Sequence, residues 1–318
     1  MTEARQITIE NLVRVAGVPL LLRIDAPGKK VVEWIEENKQ DINSIIQDNG
    51  AILIRGLKIM SSRQFGEILQ VLFGGELMSY RFRSTPRTEL RGNIYTATEY
   101  HASETIPQHN ENSYTNRWPM RLGFLCLLPA AEGGETPIAD SRSVYHAIRP
   151  DVRAEFERRG IMYVRNYGDL DLPWSEVFQT SDRGEVEQYC RDNSIGFEWM
   201  SDKQLRTWQV TPAVAEHPVT GAKVWFNQAH LFHVSGLRED VREGLLKVMD
   251  EKDLPRNTYF GDGGPIPSEY LDHIREAYRG LELAFRWERY DIMLLDNMLF
   301  SHGRFPFSGD RQVLVGMS

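Results

Sequence analysis

Apolar positions change their spacing several times along the chain. Val31, Trp34, Ile35, Ile42, Ile45 and Ile46 recur at helical intervals, which predicts a helix over 31–47, stopped by Gly50. Ala51-Ile-Leu-Ile-Arg55 is a continuous apolar run and predicts a buried strand before Gly56. Ser61 or Ser62 is suited to cap a second helix reaching about Phe73, and Gly74-Gly75 ends it. From Glu76 to about Asp140 the texture changes. Short apolar or alternating runs at 77–82, 94–98, 122–128 and 136–139 are strand candidates, separated by Gly, Pro and polar clusters. Helical spacing returns at 150–159, closed by Gly160, and again at 183–191, 239–249 and 268–278. Further strands are expected at 161–166, 223–227, 281–287, 292–295 and 312–316. Strands early and late around a mixed segment predict a β-barrel or sandwich core carrying a long insertion, not a doubly wound sheet.

Composition narrows the class. The 318 residues are 41% apolar and 26% charged, as in ordinary globular proteins and unlike disordered or collagenous chains. That length buries a large core without disulfides. A net charge of −8 argues against a general nucleic-acid binder. Arg81, Arg83, Arg87 and Arg91 form a local basic run, read as a solvated face, with docking of an anionic substrate or a carrier protein as the sharper alternative. Cys126 lies in an apolar run and Cys190 in a polar helical stretch, so neither a disulfide framework nor a CxxC zinc pattern is expected. The first twelve residues carry early acids and no apolar signal core, and no apolar run is long enough for a membrane span. A cytoplasmic location is expected. The glycine pairs at 74–75, 133–134 and 263–264 form neither a GxGxxG nor a P-loop pattern.

Eight histidines direct attention to metal or acid–base chemistry. In His109-Asn110-Glu111, residues i and i+2 of an extended segment project to one side, so imidazole and carboxylate can grip one ion. Eight histidines among 45 acids give about one such pair by chance, so the pair alone decides nothing. Two histidines and one carboxylate on one face of an octahedron leave three sites open, as in non-haem iron oxygenases. His302-Gly-Arg304 and Gly309-Asp310-Arg311 near the final strand offer a third ligand and a guanidinium for a carboxylate. Either Arg304 or Arg311 suits that contact. In Gly133-Gly134-Glu135-Thr136, a hydroxyl follows a turn and can donate to the same carboxylate. His230 and His233, at i and i+3, are read as structural or substrate-contacting, and Trp225, Asn227 and Gln228 as possible borders of the substrate. Tyr80, Phe82 and Tyr95 are expected to pack.

Together, HxE at 109–111, GGET at 133–136 and DN…HGR…PF…GDR over 296–311 resemble the taurine/2,4-D (TauD/TfdA-like) family of Fe(II)/2-oxoglutarate dioxygenases. The resemblance runs from about Ile52 onward. Finer text, such as Tyr95-Thr-Ala-Thr-Glu-Tyr100 and 225–233, resembles the SyrP-like branch, associated with hydroxylating amino acid units in nonribosomal peptide pathways. The resemblance implies a mainly β fold with flanking helices (α+β), a double-stranded β-helix or jelly roll. It implies one domain over 1–318, with a long helical insertion or lid at about 150–290. It implies Fe(II) on His109, Glu111 and His302, and 2-oxoglutarate held by Thr136 and Arg311, with O2 as the second cosubstrate. Arg304 would line the mouth, and Asn227 and Gln228 would meet the substrate. Where many relatives have HxD, the acid here is Glu, a choice resembling clavaminate synthase relatives. Related halogenases lack that acid, so oxygen chemistry is implied. The implied substrate is an amino acid or amino-acyl group, free or tethered to a peptidyl carrier protein, with no nucleic acid and no membrane involved. Desaturation is the chemical alternative to hydroxylation. A non-catalytic jelly-roll binder would be expected to lack part of the ligand and anchor set, and a zinc hydrolase gives no reason for Thr136 and Arg311.

Overall fold

Strands whose apolar residues run on without alternation need cover on both faces. Ala51–Arg55, Arg121–Leu128 and Ile292–Asp296 are such strands, and all three lie inside one sheet. The computed structural model describes residues 12–13, 19–24, 30–59, 61–79, 88–97, 100–168 and 170–318. The large sheet runs in the order Leu12–Val13, Leu20–Arg23, Ala51–Arg55, Ile292–Asp296, Arg121–Leu128, Gln312–Met317 and Tyr95–Thr96. Only the pairing of Leu20–Arg23 with Ala51–Arg55 is parallel.

One face of this sheet is covered by two helices. Val31–Asn49 ends at Gly50 in the left-handed region, and Ser62–Phe73 begins at Ser61, whose hydroxyl accepts from the Gln64 amide. Their apolar stripes meet Ile52, Ile54, Leu125, Ile292, Leu294 and Leu314 in one core. Two glycines let the second helix come close. A Cβ on Gly123 or Gly316 would stand 2.4 or 2.5 Å from Leu69 methyl carbons. The alternate residues Leu53, Phe124, Cys126, Met293, Leu295, Val313 and Val315 face the other way, into a second core.

Across that second core stands a three-stranded sheet, Ile106–His109, Phe300–Arg304 and Ile138–Asp140, with Phe300–Arg304 in the middle. Two facing, mainly antiparallel sheets with a gap between their inner faces make the expected jelly-roll sandwich.

The 150–290 segment holds more helix than strand, yet it carries a sheet of its own. Gly196–Trp199, Leu205–Thr211, Ile161–Tyr167 and Arg256–Phe260 form an antiparallel sheet with one covered face, shown by strict alternation of burial along Ile161–Tyr167 and Leu205–Thr211. Ser141–Ala147, Pro150–Arg159 and Ser268–Leu281 contribute to the core beneath it. The strands at 196–199 and 205–211 had no expectation attached. Of the strand expected over 281–287, only Leu283 bridges Ile138. Residues 77–79 form no strand, and the rest of that expected run lies outside the described residues. Tyr95 is buried as expected, whereas Tyr80, Phe82, Arg81, Arg83 and Arg87 fall outside the described residues, and Arg91 is exposed. Both cysteines are free and buried, and burial pushes each thiol up to about 12. Among the described residues, no helix is long and apolar enough to cross a membrane.

Candidate active site

His109 and His302 are cross-strand partners in the small sheet, with ring centroids 4.4 Å apart. The pairing then slips. Arg304 stands opposite Ile106, so the four positions 106–109 on one strand match the three positions 302–304 on the other. This bulge keeps Ile106 and His109, an odd interval apart, on the same cavity wall as His302 and Arg304. Gly303 permits it, because a Cβ there would lie 2.6 Å from the Ile106 carbonyl.

The carboxylate follows in the turn after Ile106–His109. Glu111 Oε2 lies 3.9 Å from His302 Nε2, and ligand atoms of His109, Glu111 and His302 all lie within 4.8 Å of one another. His109 Nδ1 sits 2.9 Å from the Pro107 carbonyl. Donation to that oxygen puts the proton on Nδ1 and leaves Nε2 as the electron-pair donor. Two imidazoles and one carboxylate, buried or half-buried together, fit a divalent first-row metal.

Glu111 is held from behind. The Asn297 carboxamide accepts from the Glu111 amide (2.8 Å) and donates to the Glu111 carbonyl (3.0 Å) and the Pro119 carbonyl (2.8 Å). Asn110 Nδ2 donates to the Asn297 carbonyl (2.7 Å) and Ser141 Oγ (3.1 Å). Asn110 and Asn297 are fully buried.

On the inner side of the triad lies a cavity lined by His109, His302, Phe124, Thr136, Arg304 and Arg311, among others. Arg311 Nε donates to the Gly134 carbonyl (2.9 Å), and its Nη2 lies 3.4 Å from Thr136 Oγ1. A Cβ on Gly134 would crowd Arg311 Cδ and Nε at 3.0 Å, which is what the glycine turn avoids. Trp287 Nε1 donates to Thr136 Oγ1 at 3.1 Å. With donors on its oxygen, the Thr136 hydroxyl is left with its own proton to give. Burial, aided by Arg304, pushes the Arg311 guanidinium down to about 10, so it is still charged at neutral pH. Among the described residues, no carboxylate lies within ion-pair distance of Arg304 or Arg311. The Phe307 ring lies 5.1 and 5.6 Å from their Cζ atoms and softens their repulsion. The donor set is therefore cations and a hydroxyl, complementary to a carboxylate. Arg304 itself donates to the carbonyls of Tyr100 (3.0 Å), His101 (2.7 Å) and Glu104 (2.8 Å).

On the outer side, His109 and Glu111 also line a cleft of about 660 Å³. Its walls include Leu231, Phe232, Leu237, Val241 and Leu245, with charges from Glu104, Asp171, Arg238 and Arg256. Asp171 and Arg256 pair through two bonds of 2.7 Å. Gln228 lines the cleft while its Nε2 donates to the Asn110 carbonyl at 2.8 Å. Asn227 is not brought to the cleft. It is fully buried and bonded to the Ala213 carbonyl and Ala229 amide, and Trp225 is buried beside Phe156. His230 and His233 form no metal pair. Their ring nitrogens meet the Gln108 carbonyl and Ser235, and burial pushes them down to about 3 and about 4.

The sequence pattern missed two contributors. Asp296-Asn297 stood in the motif without a role. Trp287 gave no signal, because it meets Thr136 from 151 positions away.

The family described as "Taurine catabolism dioxygenase TauD, TfdA family" matches residues 16–318. The dapdiamide synthesis protein DdaC of Enterobacter agglomerans is 43% identical over 277 residues, covering 87% of this chain and 84% of its own. A clavaminate synthase-like protein of Arabidopsis thaliana is 31% identical over 299 residues, covering 90% and 86%. Among solved structures, PvcB of Pseudomonas aeruginosa is similar with a TM-score of 0.56 at 16% identity, over 96% of this chain and 89% of that one. AAD-2, solved with Mn(II) and N-oxalylglycine, is similar with a TM-score of 0.55 at 10% identity, over 96% and 95%. These structural likenesses concern the fold.

Proposed function

The chain belongs to the TauD/TfdA dioxygenase family, and from that premise we propose that it is an Fe(II)/2-oxoglutarate-dependent oxygenase that hydroxylates an unactivated C–H bond of an amino acid or amino-acyl substrate. His109, Glu111 and His302 hold the iron. Thr136 and Arg311 receive the distal carboxylate of 2-oxoglutarate. When bound, iron supplies the oxidising chemistry, with O2 consumed and 2-oxoglutarate leaving as succinate and CO2. The protein's own contribution is placement. Asn297 and Pro107 orient two of the ligands, the inner cavity fixes the cosubstrate, and the outer cleft presents the substrate to the same triad. Gln228 is the polar contact offered at the metal end of that cleft. The chain acts as one domain, with the 150–290 segment supplying much of the outer wall and excluding water.

One observation carries this reading. His109 and His302 of the His-Glu-His cluster line one cavity with the guanidiniums of Arg304 and Arg311, and among the described residues neither guanidinium has a carboxylate within ion-pair distance. Neither a structural metal site nor a zinc hydrolase needs the second half of that arrangement. Similarity to a protein named for dapdiamide synthesis supports a biosynthetic role. An amino-acyl substrate, free or carrier-tethered, is the class that the sequence motifs imply.

The test is anaerobic reconstitution with Fe(II) and 2-oxoglutarate, followed by the weak visible charge-transfer band. The band forms in the wild type and is lost in His109→Ala. In Arg311→Gln its 2-oxoglutarate midpoint shifts by about 10–100-fold, the scale of a lost charge-assisted contact. No band in a folded, metal-loaded wild type sinks the assignment and favours a non-catalytic binder. Aerobically, amino acids or carrier-bound amino-acyl groups accelerate succinate formation, and failure of both excludes that substrate class. A product mass of +16 identifies hydroxylation, and −2 desaturation.

A further inference from the structure

Two compartments meet at the triad, and one cation reaches from the wall of the inner one to the rim of the outer one. Arg304 lines the inner cavity, yet its terminal nitrogens reach the carbonyls of Tyr100, His101 and Glu104. Tyr100, Glu104 and Thr105 in turn line the outer cleft. This rim is a short turn with little burial. Apart from Arg304, it is tied to the small sheet's outgoing chain by the Phe307 amide on the Ala102 carbonyl at 2.9 Å. Arg304 is 5% exposed, and its Nε–H is buried with no hydrogen-bond partner among the described residues. It also faces the like charge of Arg311. A guanidinium so placed gains from an anion on its cavity side.

We infer that Arg304 couples the two compartments: a carboxylate bound in the inner cavity holds its guanidinium, and the guanidinium holds the 100–104 rim where substrate must land. This rests on the proposed binding of 2-oxoglutarate in that cavity. Arg304 is a positioning residue in this scheme, not a ligand of the metal. Because coupling is reciprocal, substrate seated against the ordered rim tightens 2-oxoglutarate binding by the same factor.

Hydrogen exchange of residues 100–105 tests this in the Mn(II)-loaded full chain, with and without saturating 2-oxoglutarate. Saturation removes any weakening of affinity from the comparison. In the wild type, 2-oxoglutarate slows exchange of this segment by about tenfold, and in Arg304→Met by less than about twofold. Arg304→Lys keeps a charge but cannot span three carbonyls, and shows the same loss. It stands in if the Met variant does not fold. Calorimetry on the same samples separates the possible failures. If 2-oxoglutarate binds the wild type and the rim's exchange does not change, the coupling is overturned. Equal slowing in a folded Arg304 variant overturns it too. If 2-oxoglutarate does not bind the wild type, the assignment of the cavity falls, and the coupling with it.

Discussion

At the scale of single residues, the site depends on side chains that touch no ligand. Asn297 closes both backbone groups of Glu111 and has no room to turn, being fully buried. Replacing it by alanine removes this partner from the Glu111 amide and carbonyl. Asn297→Ala is therefore expected to weaken Mn(II) binding by about 10–100-fold, the usual scale for a residue that orients a ligand. Metal titration by electron paramagnetic resonance checks it, with thermal melting of the metal-free form as control. If metal binding is unchanged in a folded variant, Glu111 is positioned by other means. The three residues of the His-Glu-His cluster were legible in the sequence because HxE and the 296–311 stretch concentrate chemistry in short windows. Asn297 and Trp287 were not legible as partners. Their contacts cross 186 and 151 positions, and nothing local marks them.

At the scale of elements, the legible features were those with local causes. The helices Val31–Asn49 and Ser62–Phe73 appeared close to where apolar spacing, Ser61 and the two terminal glycines put them. The continuous apolar runs became interior strands. The strand expected over 281–287 did not form beyond the Leu283 bridge, because this stretch turns to deliver Trp287 to Thr136 and Glu288 to Arg55. The sheet of the 150–290 segment was only partly visible. Gly196–Trp199 and Leu205–Thr211 mix polar and apolar residues on one-sided strands, so their pattern is weak. The close approach of Ser62–Phe73 to the large sheet gives a test remote from the chemistry. Gly316→Ala puts a methyl against Leu69 and Ile94 and is expected to cost about 1–3 kcal/mol, as overpacking does. Urea unfolding measures it. A loss below about 0.5 kcal/mol would mean the helix shifts freely over the sheet.

At the scale of the whole molecule, buried histidines link stability to acidity. His230 and His233 are held near 3 and 4 by burial, with Arg275 adding to it, below the unfolded value of 6.5. Above about pH 6.5 both states are neutral and the full stability is present. Between 6.5 and the folded values the unfolded chain takes up protons and the folded chain does not, so stability falls as pH falls. Each group steepens that fall by up to about 1.4 kcal/mol per pH unit. Urea midpoints from pH 7 to 4.5 should therefore drop less in His230→Gln than in the wild type. Parallel slopes would show that folded His230 accepts its proton without penalty. The order of strands in the large sheet has a further consequence, in time. Ile292–Asp296 and Gln312–Met317 flank Arg121–Leu128 on both sides. A chain emerging from the ribosome thus carries Ala51–Arg55 and Arg121–Leu128 for some 160 residues without the strand that joins them. Closure of this sheet, and completion of the His-Glu-His cluster by His302, are late events of synthesis. Folding is governed by contacts of long sequence separation and is correspondingly slow and exposed to aggregation.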